Sequence, residues 1–88
     1  MLKKVFQLIM RRLKLIWDFR GPVSKKTAEH HLIHLNEYIK LQQLDIDITG
    51  VETYSEMHSI AYLVVNESEM IPVRDALKPH RGQVFSEN

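Results

Sequence analysis

The alternation of apolar and polar positions divides the chain into short segments. Through residues 2–17 the apolar side chains follow helical spacing, but over residues 13–19 they also alternate with charged ones, which is strand spacing. We resolve this conflict by expecting a cationic amphipathic helix over residues 1–11 and a strand over residues 12–20. The strand ends at the turn-forming pair Gly21-Pro22.

The middle of the chain predicts a helix and two strands. Apolar residues recur at helical spacing from Ser24, which we expect to be the N-cap, to about Leu44. A charged strand follows near residues 46–53, and its alternation changes phase at Gly50, which predicts a β-bulge there. The run over residues 60–65 is apolar on both faces, as expected of a central strand.

The order of these elements predicts the fold. A second helix, capped by Asn66 or Ser68, is expected to end at Pro79, and a short last strand lies near residues 82–85. The order βαββα(β) predicts an α+β, ferredoxin-like fold, an antiparallel sheet with two helices on one face, preceded by the N-terminal helix. Residues 12–88 form this single domain. We expect the apolar first and third strands to be central and the charged second strand to be an edge.

Composition excludes several classes of protein. The chain has 88 residues, of which 44% are hydrophobic and 26% charged, so it is neither disordered nor of low complexity. It has no cysteine, which excludes disulfides, thiolate nucleophiles and cysteine metal sites. Charged residues interrupt every apolar run well before the length of a membrane span, and we expect a cytoplasmic protein.

Charge is distributed unevenly, although the net charge is only +1. Residues 1–26 carry eight basic residues and one acidic residue, whereas residues 27–69 carry eight acidic residues and one basic residue. This polarity predicts an anionic partner for the N-terminal part, or neutralisation between copies in an oligomer. The amphipathic segment over residues 1–15 also resembles a peripheral membrane helix.

The apolar third strand predicts self-association. Two helices cover only one face of the sheet, so we expect a second copy, or the N-terminal helix, to cover the other face. A nucleic-acid partner is not expected, because the third strand lacks the aromatic pattern of RNA-binding sheets.

Four sequence positions suggest an anion site. Arg20 and Gly21 end the first strand, and His80 and Arg81 precede the last one. If the first and last strands pair, these residues can approach each other near the helix that begins at Ser24. Arginine binds phosphate or carboxylate in a bidentate manner, so we expect a small anion there.

Histidines offer an alternative, a transition-metal site. His30 and His34 are four residues apart on the first helix, and His31 and His34 are three apart, so either pair shares a face. We expect His31 and His34 to border the core and His30 to face water. The alternative site is therefore His31, His34 and His58, with zinc, nickel or copper as the metal. The leading interpretation needs no cofactor.

A second alternative is a small acid–base enzyme. Asp18, His31 and His58 could exchange protons, with Tyr62 nearby, but their spacing is not specific for any reaction. We therefore favour a protein that is not an enzyme.

The element order over residues 12–86, with the segments Trp17–Pro22 and Thr27–His31, resembles small bacterial ferredoxin-like proteins, including ACT-like and CutA-like ligand-sensing modules. The resemblance lies in the element order and implies no particular site residue. It agrees with the function that we expect: a non-enzymatic binding or regulatory module, homo-oligomeric, that binds a small anion or a protein partner.

Overall fold

A computed structural model describes residues 11–86. This part of the chain forms two α-helices, four strands and one short 3₁₀ turn. In chain order they are β1 (Arg12–Arg20), α1 (Ser24–Leu41), β2 (Thr49–Ser55), β3 (His58–Asn66), the 3₁₀ turn (Glu67–Glu69), α2 (Met70–Leu77) and β4 (Arg81–Val84). The first strand begins and ends where the alternation predicted. The predicted helix over residues 1–11 lies outside the described residues, except for Arg11.

The four strands form one antiparallel sheet in the order β2-β3-β1-β4. The two apolar strands, β1 and β3, are central, and the charged strand β2 lies at an edge, so both of these predictions are confirmed. A central strand has neighbours on both sides and can bury both faces, which suits an apolar run. An edge strand is protected from further pairing by its charges.

Both helices pack on the same face of the sheet. Alternate residues of β1 and β3, among them the directly paired Trp17 and Ala61, point toward the helices. Ala28 of α1 and Val73 of α2 belong to the same buried cluster as these strand residues. The remaining buried members of this core are Leu15, Leu35, Leu63 and Val65.

The opposite face of the sheet carries a second apolar row. Ile16, Ile60 and Val64 point away from the helices, because they alternate with the residues of the core. Their exposed fractions are only 1%, 0% and 2%. These three side chains are therefore buried, and self-association through this face stays a prediction from the sequence.

The bulge lies elsewhere than we predicted. The register of β2 against β3 shifts between Thr53 and Ser55, not at Gly50. Gly50 instead lies directly opposite Tyr62, whose hydroxyl oxygen is 2.6 Å from where a Cβ on Gly50 would be. The phase change at Gly50 reflects the start of the strand at Thr49, since the apolar residues before it lie in the preceding loop.

The ends of α1 differ from the expectation. Ser24 is the first helical residue rather than the N-cap, which is Val23 and makes no side-chain bond. The Ser24 hydroxyl is buried, 3.5 Å from the hydroxyl of Ser59 on β3. The helix ends at Leu41, three residues earlier than predicted, and Gln43 follows with a positive φ of 55°.

The start of α2 also differs. Neither of the predicted residues caps it, because a 3₁₀ turn intervenes and the N-cap is Glu69. Pro72 lies in the first turn, where the missing N–H costs no helical hydrogen bond. The helix ends before Pro79, as predicted, because Lys78 adopts a left-handed conformation with φ 51°. Among the described residues no helix has the length and apolarity to cross a membrane.

Candidate functional site

Asp18 is the centre of a charged network on the face of the sheet opposite the helices. Its Oδ1 lies 2.8 Å from Nε2 of His58, and its Oδ2 accepts a 2.8 Å hydrogen bond from Nε of Arg81. Nη2 of Arg81 donates a second bond, of 3.2 Å, to Oδ1. A carboxylate only accepts, so Nε2 of His58 carries the proton in this bond. The network joins β1, β3 and β4.

This network keeps Asp18 ionised. The hydrogen bond from Arg81 is the main cause that lowers the pKa of Asp18 from 3.8 to about 2, and His58 adds to it against the opposing effect of burial. In return the carboxylate raises the pKa of Arg81. The side chains of Asp18 and His58 are 17% and 19% exposed, while that of Arg81 is 45% exposed. Asp18 therefore balances the charge of Arg81 within the fold.

His80 attaches β4 to β1 through two further bonds. Its backbone N–H donates to the carbonyl of Ile16 at 2.9 Å, and its Nδ1 accepts from the backbone N–H of Asp18 at 2.8 Å. Because Nδ1 is an acceptor here, the proton of the neutral ring lies on Nε2. Nε2–H of His80 thus remains a hydrogen-bond donor for another group.

The structure separates the four residues of the predicted anion site. Arg81 lies opposite Ile16 on β1, whereas Arg20 lies opposite His58, four residues further along the same strand. Four residues of a strand span about 13 Å. Asp18 lies between them and satisfies Arg81. Arg20 and Gly21 therefore do not share a cradle with His80 and Arg81.

Arg20 and Gly21 instead mark the end of β1. Gly21 has a positive φ of 111° and donates its backbone N–H to the carbonyl of Met57 at 2.8 Å. Arg20 is exposed and makes no hydrogen bond or ion pair with any residue over 11–86. Gly21 is thus needed for the turn itself.

A cleft of about 470 Å³ lies between α2 and β4. This volume is in the range of small-molecule sites, roughly 300–1,000 Å³. Its apolar lining comes from Leu13, Leu15, Met70, Pro79 and Val84. Its polar lining comes from Arg74, His80, Arg81 and Gln83, with Gly82 between them. The cleft therefore combines an apolar lining with cationic and hydrogen-bonding groups.

Of the two arginines that line the cleft, Arg74 makes the weaker contacts with the rest of the fold. Its Nε bonds to Oδ1 of Asp75 at 3.2 Å, a contact between adjacent residues of the chain. Both side chains are at least half exposed, so this pair is weak and easily exchanged for another anion. Arg81, by contrast, is already paired with Asp18.

The structure does not bring together the three histidines of the predicted metal site. His58 belongs to the network on the opposite face, and His31 packs against the rings of Trp17 and Phe19 at centroid distances of 5.0 and 5.4 Å. Burial is the main cause that lowers the pKa of His31, and the nearby His34 contributes. Nε2 of His31 is buried without a hydrogen-bond partner among residues 11–86.

His34 pairs with His30 instead. Their Nε2 atoms are 3.0 Å apart, and Nδ1 of His34 lies 3.1 Å from Oε1 of Glu37. The prediction that His34 borders the core is wrong: its side chain is 59% exposed and lies with that of His30 on the exposed side of α1. The ring of His31 does lie at the core boundary, as predicted. In the part of the chain that the structure describes, no group of three or more potential ligands surrounds one point.

The predicted acid–base residues are only partly brought together. Asp18 and His58 are hydrogen-bonded, which is an arrangement that can orient an imidazole base. His31 lies on the other face of the sheet, beside Trp17. Tyr62 lies opposite Ile16, and its ring receives the ammonium group of Lys14 at 4.3 Å. The sheet therefore separates His31 from Asp18 and His58.

Sequence reasoning grouped Asp18 with His58, but it missed the pairing of Arg81 with Asp18 and the cleft between α2 and β4. One signal was present for the network, since Asp18 is the sole acidic residue in the first 26 positions and stands within a basic strand. Nothing in the local pattern indicated that Arg74 would line a cleft with the last strand.

Comparison of the chain with family models, curated proteins and solved structures finds no match in any of the three.

Proposed function

We propose that this protein is a non-enzymatic binding module with a ferredoxin-like fold, and that its ligand is a small organic anion with an apolar body. The observation that carries the proposal is the cleft between α2 and β4, whose apolar lining adjoins Arg74 and His80. A volume of about 470 Å³ admits a molecule of moderate size rather than a bare inorganic ion.

The charge of the ligand follows from the donors that the fold leaves available. Among residues 11–86 Arg74 is held only by its neighbour Asp75, so its guanidinium can turn to a carboxylate or phosphate group. His80 uses Nδ1 to accept from Asp18, which leaves Nε2–H as a second donor at the same cleft. These two donors, one of them a guanidinium, favour an anionic group over a cationic one.

The apolar part of the ligand follows from the lining. Leu13 and Leu15 of β1 and Met70 of α2 contribute to it, and Val84 is 56% exposed at its margin. Gly82 keeps the floor open, because a Cβ there would lie 3.4 Å from the Leu15 side chain. A ligand that covered these side chains would remove apolar surface from water, which supplies affinity.

The strand order and the placement of both helices on one face support the ferredoxin-like assignment. Self-association remains a prediction from the sequence. The buried row on the opposite face gives it no additional support.

A binding experiment with matched compounds tests this function. Trp17 is the chain's single tryptophan, and its Nε1–H donates to the carbonyl of Leu77 at 2.9 Å, close to the cleft, so its fluorescence reports binding. We expect octanoate or phenylacetate to bind, octanol to bind more weakly, and inorganic phosphate to bind least.

Two variants connect binding to the cleft. Arg74→Gln removes the charge and should weaken octanoate binding by about tenfold, the effect of losing a charge-assisted hydrogen bond. Lys40→Gln removes another exposed cation, which lies on α1 and outside the lining of the cleft, and should leave octanoate binding unchanged. If no anion of the panel binds, or if both variants bind octanoate equally well, the proposal is wrong.

A further inference from the structure

The exposed side of α1 holds two imidazoles that already converge. Nε2 of His30 and Nε2 of His34 are 3.0 Å apart, and their rings meet edge to face with centroids at 4.6 Å. Both residues are exposed, so an ion from solution can reach them. Residues four apart on a helix lie one above the other, which is why the two rings meet.

The spacing of the two nitrogens selects among metals. A metal–imidazole bond is about 2.0–2.1 Å long. Two such bonds at a right angle place the nitrogens about 2.9 Å apart, and at the tetrahedral angle about 3.3 Å apart. The observed 3.0 Å is closer to the right angle. That is the angle between neighbouring ligands in square-planar copper(II) or octahedral nickel(II), while zinc prefers the tetrahedron.

A third residue orients the pair. Oε1 of Glu37 lies 3.1 Å from Nδ1 of His34, and a carboxylate can only accept, so Nδ1 carries the proton. Nε2 of His34 is then the ring's lone-pair nitrogen and is directed at His30. A carboxylate behind a ligating imidazole is the usual outer partner of a protein metal site.

We infer that His30 and His34 form a two-residue site for a divalent transition metal, with Cu²⁺ bound most tightly, Ni²⁺ next and Zn²⁺ least. Water fills the other coordination positions, so the site needs no third protein ligand, in agreement with the lack of a three-residue cluster in residues 11–86. In the metal-free pair Nε2–H of His30 donates to Nε2 of His34; on metal binding this proton leaves to water and Nδ1 of His30 takes one up, so the ring stays neutral. The site is independent of the cleft between α2 and β4.

Calorimetric titration of the untagged full chain with CuCl₂, NiCl₂ and ZnCl₂ tests the inference. We expect one copper ion per chain, with an affinity in the micromolar range. His30→Ala and His34→Ala should each lower the copper affinity at least tenfold. Glu37→Gln should lower it by about tenfold, the smaller of the usual outer-partner effects. His58→Ala is the matched control and should leave copper binding unchanged.

A rescue variant tests whether copper binding depends on the i,i+4 spacing of two histidines or on His34 itself. In the combination of Lys26→His and Ile33→Glu with His34→Ala, the histidine pair moves one turn toward the N-terminus, again four residues apart, and a carboxylate follows His30 by three residues as Glu37 follows His34. Copper affinity should return to within about threefold of the wild type, because the pair has the same i,i+4 geometry. Equal copper binding by the wild type and a variant lacking both His30 and His34, or tighter binding of zinc than of copper, would overturn the inference.

Discussion

Replacing Asp18 by asparagine tests the electrostatic account of the sheet. The substitution keeps the shape of the side chain but removes the charge that Arg81 and His58 share. Because the carboxylate joins three strands, its loss should lower the free energy of unfolding at neutral pH. The effect should be larger than that of an ordinary surface charge, because the Asp18 side chain is only 17% exposed.

The size of the effect follows from the pKa of Asp18. A fall in pKa from 3.8 to about 2 corresponds to about 2.4 kcal/mol of stability at neutral pH if the shift acts in full. The Arg81 side chain is 45% exposed, so solvent screens part of the interaction. We therefore expect Asp18→Asn to cost about 1–2 kcal/mol at pH 7.

The same shift predicts how the effect depends on pH. The carboxyl has a lower pKa in the folded state than in the unfolded state, so the unfolded state takes up the proton first as the pH falls. The contribution is complete above about pH 5, declines through the acid range and is lost below about pH 2. Wild type and Asp18→Asn should therefore converge in stability as the pH approaches 2.

Urea unfolding followed by the fluorescence of Trp17 measures this difference, because that residue is buried in the fold. Arg81→Gln and the double variant complete a mutant cycle, whose coupling energy should fall to a small fraction of its pH 7 value by pH 2, as the effect of Asp18→Asn does. Asp45→Asn, at an exposed carboxylate, should change the stability by less than about 0.5 kcal/mol. An equal loss at pH 7 and pH 2 would refute the electrostatic explanation and leave packing as the cause.

Two further predictions concern packing. Gly50→Ala should lower the free energy of unfolding by about 1–3 kcal/mol, because the new Cβ would be 2.6 Å from the hydroxyl oxygen of Tyr62 and 2.9 Å from its ring carbon. Gly82→Ala, whose nearest contact is 3.4 Å, should be close to neutral in the same urea experiment. Leu35→Ala, at a fully buried position, should cost about 2–5 kcal/mol, whereas Leu41→Ala, at a position 78% exposed, should cost less than about 0.5 kcal/mol. Similar losses within either pair would contradict the packing described here.

The elements of this fold were largely predictable from local sequence. The alternation from Leu13 to Phe19 located β1, and the apolar run from residue 60 located β3. Both strands are central, because a run that is apolar on both faces is stable only where both faces are covered. Local spacing allowed His30 or His31 to pair with His34, and we chose His31, whereas the structure pairs His34 with His30. The ends of the helices and the position of the bulge were not predictable, because they depend on contacts such as that of Ser24 with β3.

The tertiary structure alone decided which face each strand residue occupies and which distant side chains meet. In β3, one face is as apolar as the other, so local sequence could not show that Ala61 turns to the helices and Ile60 away from them. Asp18 and Arg81 are 63 positions apart, and only the register of β4 against β1 brings them together. The same register places Arg81 opposite Ile16, four residues along β1 from Arg20, and places Gly82 in the lining of the cleft. Strand register is set by the summed burial and pairing of the whole sheet, and shifting it by one residue would turn every side chain to the other face.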